Sequence, residues 1–316
     1  MSAARRIDVH LHTIPAFYRD AVYAAGSGPA IGRYPDWSPE AALELMDASG
    51  IELALTSLAQ PGVQFAPARD AATLARRCNE YAAELAQRWP RRFGAFALVP
   101  MQEADDAIAE IAYCYDTLRF AGVCLFASYG EKFLGDPRFD PVLAALDERE
   151  AIVFVHPAYH PSSRGLDLPW PGFMMEYLFD TTRAAVNLLL SGALDRFPHV
   201  RFILAHAGGV LPYFAWRLSV APMIDPRLPQ WPRERIMAGL RRSWYDVALS
   251  PGRQTMAALE IVAAPERILF GSDWPFANAR VVAAALKDYS AEGLLRDEQR
   301  RAIDRENAVA LFPQYA

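Results

Sequence analysis

The chain has 316 residues, 53% of them hydrophobic and 22% charged, and its 32 basic against 37 acidic side chains leave a net charge of −5. That balance gives no general attraction for nucleic acid or an anionic membrane surface, and no apolar run is long enough to cross a bilayer. Three scattered cysteines exclude a disulfide framework, and about three quarters of the extended surface can be buried at this length, so a core forms without staples.

The opening, MSAARRIDVHLH, lacks the apolar core of a signal peptide. Together with the cysteine usage, this makes the cytoplasm the expected location. Short apolar runs rich in β-branched and aromatic residues then recur at Ile7–His12, Leu53–Ala59, Arg92–Pro100 and Gly122–Ala127. Four more follow at Ile152–Pro157, Arg201–Gly209, Trp244–Leu249 and Arg267–Pro275. Near-continuous hydrophobicity over such a length predicts parallel strands covered on both faces.

Helical patterns fill the intervals. Ser38 with Pro39 predicts a capped helix start running through Asp47. Further helices are expected over Ala68–Trp89, Glu103–Phe120, Pro137–Glu150, Glu176–Phe197, Arg253–Ala263 and Val281–Tyr289. Eight strand–helix alternations without a break in composition predict one α/β domain over residues 1–316. The expected fold is a (β/α)8 TIM barrel rather than a doubly wound open sheet. Two segments, Gly26–Trp37 and Ala158–Gly172, are longer than a barrel needs. Both follow strands, on the face where barrel active sites are built.

Chemistry-bearing residues gather at strand ends. His10 and His12 stand at i and i+2 on the first strand, so both side chains leave one face. They read either as metal ligands or as ordinary histidines of a strand terminus. His156 closes the fifth strand, where a lone histidine is ordinarily a satisfied core residue. His206 follows the sixth strand and Asp273 the eighth. Five such groups around one barrel mouth point to a metal centre, because a buried carboxylate there is costly without a cation.

The remaining histidines read differently. His160 lies on the loop after the fifth strand and is expected to be exposed or to face substrate. His199 precedes the sixth strand, at the opposite end of the barrel. No cysteine has the neighbours of a nucleophile.

This pattern resembles the metal-dependent amidohydrolase superfamily, and within it the aminocarboxymuconate-semialdehyde decarboxylase group. The matching stretches are DVHLHTIPAFY, DWSPEAALELMDASGI, RRFGAFALVP, FVHP, FILAHAGGVLPYFAWR and LFGSDWPF. Among branches, DVHLHTIPAFYRDAV, SYGEKFLGDPRFDPVL and VFVHP are most similar to the methylsalicylate decarboxylases. The resemblance implies that His10, His12, His156 and Asp273 ligate one divalent metal, with His206 and Asp273 as the acid–base pair. The residues alone leave open the reverse assignment, with His206 a ligand and His156 the base. Nitrogen and oxygen donors of this kind suit Zn2+, with Mn2+ as the alternative, and no organic cofactor is expected.

Binuclear relatives place a carbamylated lysine or another bridging ligand on strand four. Only two lysines occur here, Lys132 and Lys287, and neither lies in the fourth run. A mononuclear site is therefore expected. In the resembled decarboxylases an arginine eleven residues after the sixth-strand histidine reaches the neighbouring subunit's site and holds a substrate carboxylate. Arg217 has that spacing, which implies a homodimer or dimer-based oligomer. Trp274, Phe276 and Trp170 could wall an aromatic ring, and Arg33 is a further candidate anion binder.

The implied activity is non-oxidative decarboxylation of a small carboxylic acid. Its substrate would be aromatic, salicylate- or resorcylate-like, or unsaturated, muconate semialdehyde-like. The alternative is metal-dependent hydrolysis of a lactone, ester or amide on the same barrel.

Overall fold

The computed structural model describes residues 5–163, 165–166 and 169–316. Met1–Ala4 and, within the long segment after the fifth strand, Arg164, Asp167 and Leu168 lie outside the described residues. Eight parallel strands follow one another in chain order around a single sheet. They are β1 (Arg6–His12), β2 (Ile51–Ser57), β3 (Phe93–Leu98), β4 (Gly122–Phe126), β5 (Ile152–His156), β6 (Arg201–Leu204), β7 (Trp244–Asp246) and β8 (Ile268–Leu269). The seam between β1 and β8 closes through backbone bonds from Val9 N to Phe270 O, His12 N to Trp274 O and Asp273 N to His10 O. The expected barrel is the observed one.

Two apolar layers flank the strands. Val123, Leu125, Val153, Val155 and Leu204 face the surrounding helices. Leu55, Phe96, Phe154, Ile203 and Leu269 fill the barrel interior, where Leu311 and Phe312 of the C-terminal segment plug the floor. The pairing of β1 with β2 shifts register between Asp8 and Leu11, as at a β-bulge. Ile7 and Val9 accordingly pack in the interior, whereas Leu11 packs in the outer layer.

Several expected elements keep their place with changed limits. Ser38 caps the helix Pro39–Ala48 by accepting from Ala41 N at 3.1 Å. The long helix expected over 176–197 is two, Phe173–Leu190 and Ala193–Arg196, parted by Gly192 at φ +76°, a backbone conformation that glycine adopts without strain. Strands β6, β7 and β8 are shorter than their apolar runs. Past Leu204 the chain turns through His206, Ala207, Gly208 and Gly209, all at positive φ, and the ladder stops. Helices Ala16–Ala24, Arg233–Leu240 and Asp297–Arg301 were not expected.

Candidate metal centre and active-site pocket

Three imidazoles and a carboxylate meet at the C-terminal mouth. One ligand atom from each of His10, His12, His156 and Asp273 lies within 4.8 Å of the others, and all four residues are buried. Each histidine is oriented through Nδ1. His10 Nδ1 donates to Asp246 Oδ2 at 3.0 Å, and His156 Nδ1 donates to the Pro157 carbonyl at 2.8 Å. His12 Nδ1 lies 3.1 Å from Ser57 Oγ. With Nδ1 occupied, all three Nε2 lone pairs point into one space.

Those atoms repel one another unless something positive stands between them. His10 Nε2 and His12 Nε2 are 3.1 Å apart, and Asp273 Oδ1 lies 3.1 Å from the second and 3.4 Å from the first. Donors held at about 2.0–2.1 Å from a common centre are separated by roughly 2.9–3.4 Å. The spacing of these three donors therefore fits the coordination sphere of one divalent cation, and His156 adds a fourth donor within 4.8 Å of them.

The charges agree with the distances. Burial works to lower the His10 pKa, but Asp246 and Asp273 outweigh it and hold it up at about 10. The same carboxylates would be satisfied by a cation with the ring neutral. Burial lowers the pKa of His12 and drives that of His156 far down, the latter reinforced by its imidazole neighbours. Both therefore favour the neutral, ligating form. Burial opposes ionisation of Asp273, yet His10, His12 and His206 keep its pKa well below the usual carboxylate range. Among the described residues this is the one cluster that could hold a metal ion. Lys132 instead pairs with Asp136 at 3.2 Å on an exposed hairpin.

Asp273 divides its two oxygens between partners. Oδ1 faces the imidazoles of His10 and His12, while Oδ2 lies 3.4 Å from His206 Nε2. Both Asp273 and His206 sit at positive φ, +60° and +55°. Such conformations are uncommon outside glycine and tend to occur where function constrains the backbone.

Behind the ligands stand residues that the sequence reading did not single out. Asp246 Oδ1 accepts from His206 N at 3.1 Å and Ala248 N at 2.9 Å. Asp8 Oδ1 accepts from His10 N and Ser272 N, and burial pushes its pKa up to about 7. Both are acids inside apolar strand runs, a signal the sequence carried in IDVHLH and WYDVAL.

A cavity of about 300 Å³ opens above the cluster, with His156, His206 and Asp273 at its base. Its walls are mainly apolar, with Ile31, Met174, Leu178, Leu249 and Phe276 prominent, while Gln60 and Tyr177 add polar groups. Tyr177 Oη donates to Gln60 Oε1 at 3.3 Å. Ile31 comes from the long segment after β1, and Phe276 packs edge-on against His12 at 5.3 Å.

The other candidates stand elsewhere. Trp274 is buried in the barrel wall, Trp170 is partly exposed, and neither lines this cavity. Arg33 and Arg217 are exposed, the latter on the helix Leu211–Ile224. His160 stacks on Phe133 at 4.6 Å, and His199 pairs with Asp147 at 3.0 Å ahead of β6.

Known proteins share this build over almost the whole chain. The amidohydrolase family model matches residues 7–314. The 6-methylsalicylic acid decarboxylase of Penicillium expansum is 36% identical over 314 residues, 98% of this chain and 96% of that one. The gamma-resorcylate decarboxylase of Rhizobium radiobacter is 33% identical over 285 residues, 85% of each chain. Among solved structures, the dihydroxybenzoic acid decarboxylase of Polaromonas sp. JS666 was determined with bound manganese and the inhibitor 2-nitroresorcinol. It superposes with a TM-score of 0.83 at 26% identity, over 99% of this chain and 98% of that one. A barrel mouth of this composition, matched along nearly all of its sequence, belongs to the amidohydrolase family, and this chain is a member of it.

Proposed function

We propose that the protein is a metal-dependent, non-oxidative decarboxylase of an ortho-hydroxybenzoic acid. The observation that carries this reading is the pairing of a three-imidazole, one-carboxylate centre with an apolar cavity of about 300 Å³. One aromatic ring fits that space, and the named relatives act on such acids by their printed names. They favour decarboxylation over the hydrolytic alternative.

His10, His12, His156 and Asp273 would hold the cation, with zinc the first choice for this donor set and manganese the second. A bound divalent ion supplies Lewis acidity that steadies negative charge on the substrate's carboxylate and phenolic oxygens. Phe276, Leu178 and Ile31 confine the ring and exclude water. His206 Nε2, sharing a proton with Asp273 Oδ2, delivers it to the ring carbon that bears the carboxylate. That carbon then carries both substituents. Cleavage of its bond to the carboxylate releases CO2, and the electron pair returns to the ring. A proton from solvent restores the pair.

The oligomer belongs to the same reading. Tyr213, Trp216, Met223 and Ile224 form an exposed stripe on the helix Leu211–Ile224, with Tyr213 91% accessible. Arg217 lies on that stripe. So much exposed apolar surface supports burial against a second copy about a two-fold axis. Arg217 would there approach the partner's substrate carboxylate. We place the whole chain, acting as one barrel unit, in the cytoplasm, a reading supported by three buried free cysteines.

The deciding experiment loads the purified protein with zinc or manganese and offers ortho-hydroxybenzoates. CO2 release with formation of the matching phenol is expected. Ester or lactone hydrolysis without CO2 release would overturn the proposal.

A further inference from the structure

Among the described residues, seven non-glycine residues hold a positive φ. Arg91, Arg119 and Glu150 each fall three residues past a helix C-terminus, in the turns that lead into the next strand. His206, Ala207 and Asp273 belong to the catalytic mouth. Leu249, at φ +51°, is the one left without an explanation of either kind.

Its setting makes the choice of residue unusual. Ser250 N donates to Val247 O at 3.0 Å, closing a turn in which Leu249 is the third residue. At positive φ that position favours glycine or asparagine. Leu249 is 49% exposed, so core burial does not offset the strain. The turn is nonetheless held in fixed relation to the metal centre. Asp246 accepts from Ala248 N and His206 N through Oδ1 and from His10 Nδ1 through Oδ2.

What the leucine does is line the pocket. Its neighbours around the cavity include Met174, itself 60% exposed, with Ile31 and Phe276. We infer that Leu249 is a specificity-determining residue, held in a left-handed turn so that its isobutyl group meets an alkyl substituent on the ring of the substrate. This rests on the decarboxylase reading above and narrows it to alkyl-substituted hydroxybenzoates. A second ring hydroxyl placed against the Leu249 side chain would lose water without gaining a partner there. Of the polar groups on the cavity wall, Tyr177 donates to Gln60 Oε1, and Ser250 stands beside Leu249.

The test measures binding of 3-methylphenol and resorcinol, stand-ins for the two kinds of phenolic product, to the zinc-loaded protein by calorimetry. Differences of one methyl-sized group in an apolar pocket are worth roughly 10–200-fold. The intact protein should favour 3-methylphenol by at least about tenfold on that scale. Leu249→Gly and Leu249→Asn, both suited to the turn, should reduce the preference to within a few fold while leaving the unfolding midpoint unchanged or raised. An unchanged preference in both variants would overturn the inference, as would equal binding by the intact protein. So would a preference that moves only with Ser250→Ala. These phenols bind without reacting, so the outcome stands apart from whether any hydroxybenzoate is turned over.

Discussion

The two ends of the barrel interior are built on the same strands and obey opposite rules. At the floor, Phe96 and Phe154 stack at 5.4 Å and Phe312 packs edge-on against Phe96 at 5.9 Å. The apolar groups there need no partners. At the mouth, His10, His12, His156, Asp246 and Asp273 are as deeply buried, and each depends on a named neighbour for its charge or its proton. The two regions meet where the His10 ring touches Phe154 at 4.8 Å. Position along a strand, rather than which strand it is, decides whether a residue stabilises the fold or performs chemistry.

Four substitutions should break or sharpen that contrast. The largest effect is expected from His206→Ala, which should lower kcat by about 10²–10⁴ while elemental analysis still finds one metal per chain. Loss of the metal along with activity would move His206 among the ligands. At the floor, Phe312→Ala should destabilise the protein by about 3–5 kcal/mol, read from denaturant unfolding, with activity per folded molecule unaltered. A matching drop in kcat would show that the two ends are not separable.

Asp246→Asn removes the acceptor charge behind His10 and should weaken metal affinity by about 10–100-fold, followed by competition with a chelator. The smallest change belongs to Ser57→Ala. Losing the contact with His12 Nδ1 should weaken metal binding by about 1 kcal/mol. The unfolding midpoint of the metal-free protein should stay in place.

The contrast also explains what could be read before the structure. Strand runs were legible because both faces of each strand are apolar, and His10, His12, His156 and Asp273 were legible because polar groups interrupt that pattern at strand ends. Asp8 and Asp246 interrupt it too, but from inside their apolar sequence runs, where an acid reads as a misfit until its backbone and imidazole donors are seen. The lengths of β6 to β8 were overestimated because apolarity continues past the point where the ladder stops. Burial after Leu204 and Leu269 is maintained by turns instead. The helix Arg233–Leu240 begins directly after Pro232 and ends at Leu240, too short for a clear period. Leu249 gave no signal at all, since its role depends on a backbone angle that composition does not record.

The closing seam carries one more consequence. His12 and Asp273 stand 261 positions apart in the chain, and the backbones of His10, His12, Asp273 and Trp274 form the bonds that join β1 to β8. The cluster therefore comes into existence only when the two ends of the barrel sequence meet, a contact of long range and slow closure. A nascent chain ending before β8 has the three ligand histidines but lacks Asp273, so the complete site forms only late in folding. A cation then favours the finished barrel by binding it more tightly than the open one. Metal content then counts finished molecules: in any preparation, the fraction loaded at saturation measures the fraction whose seam has closed.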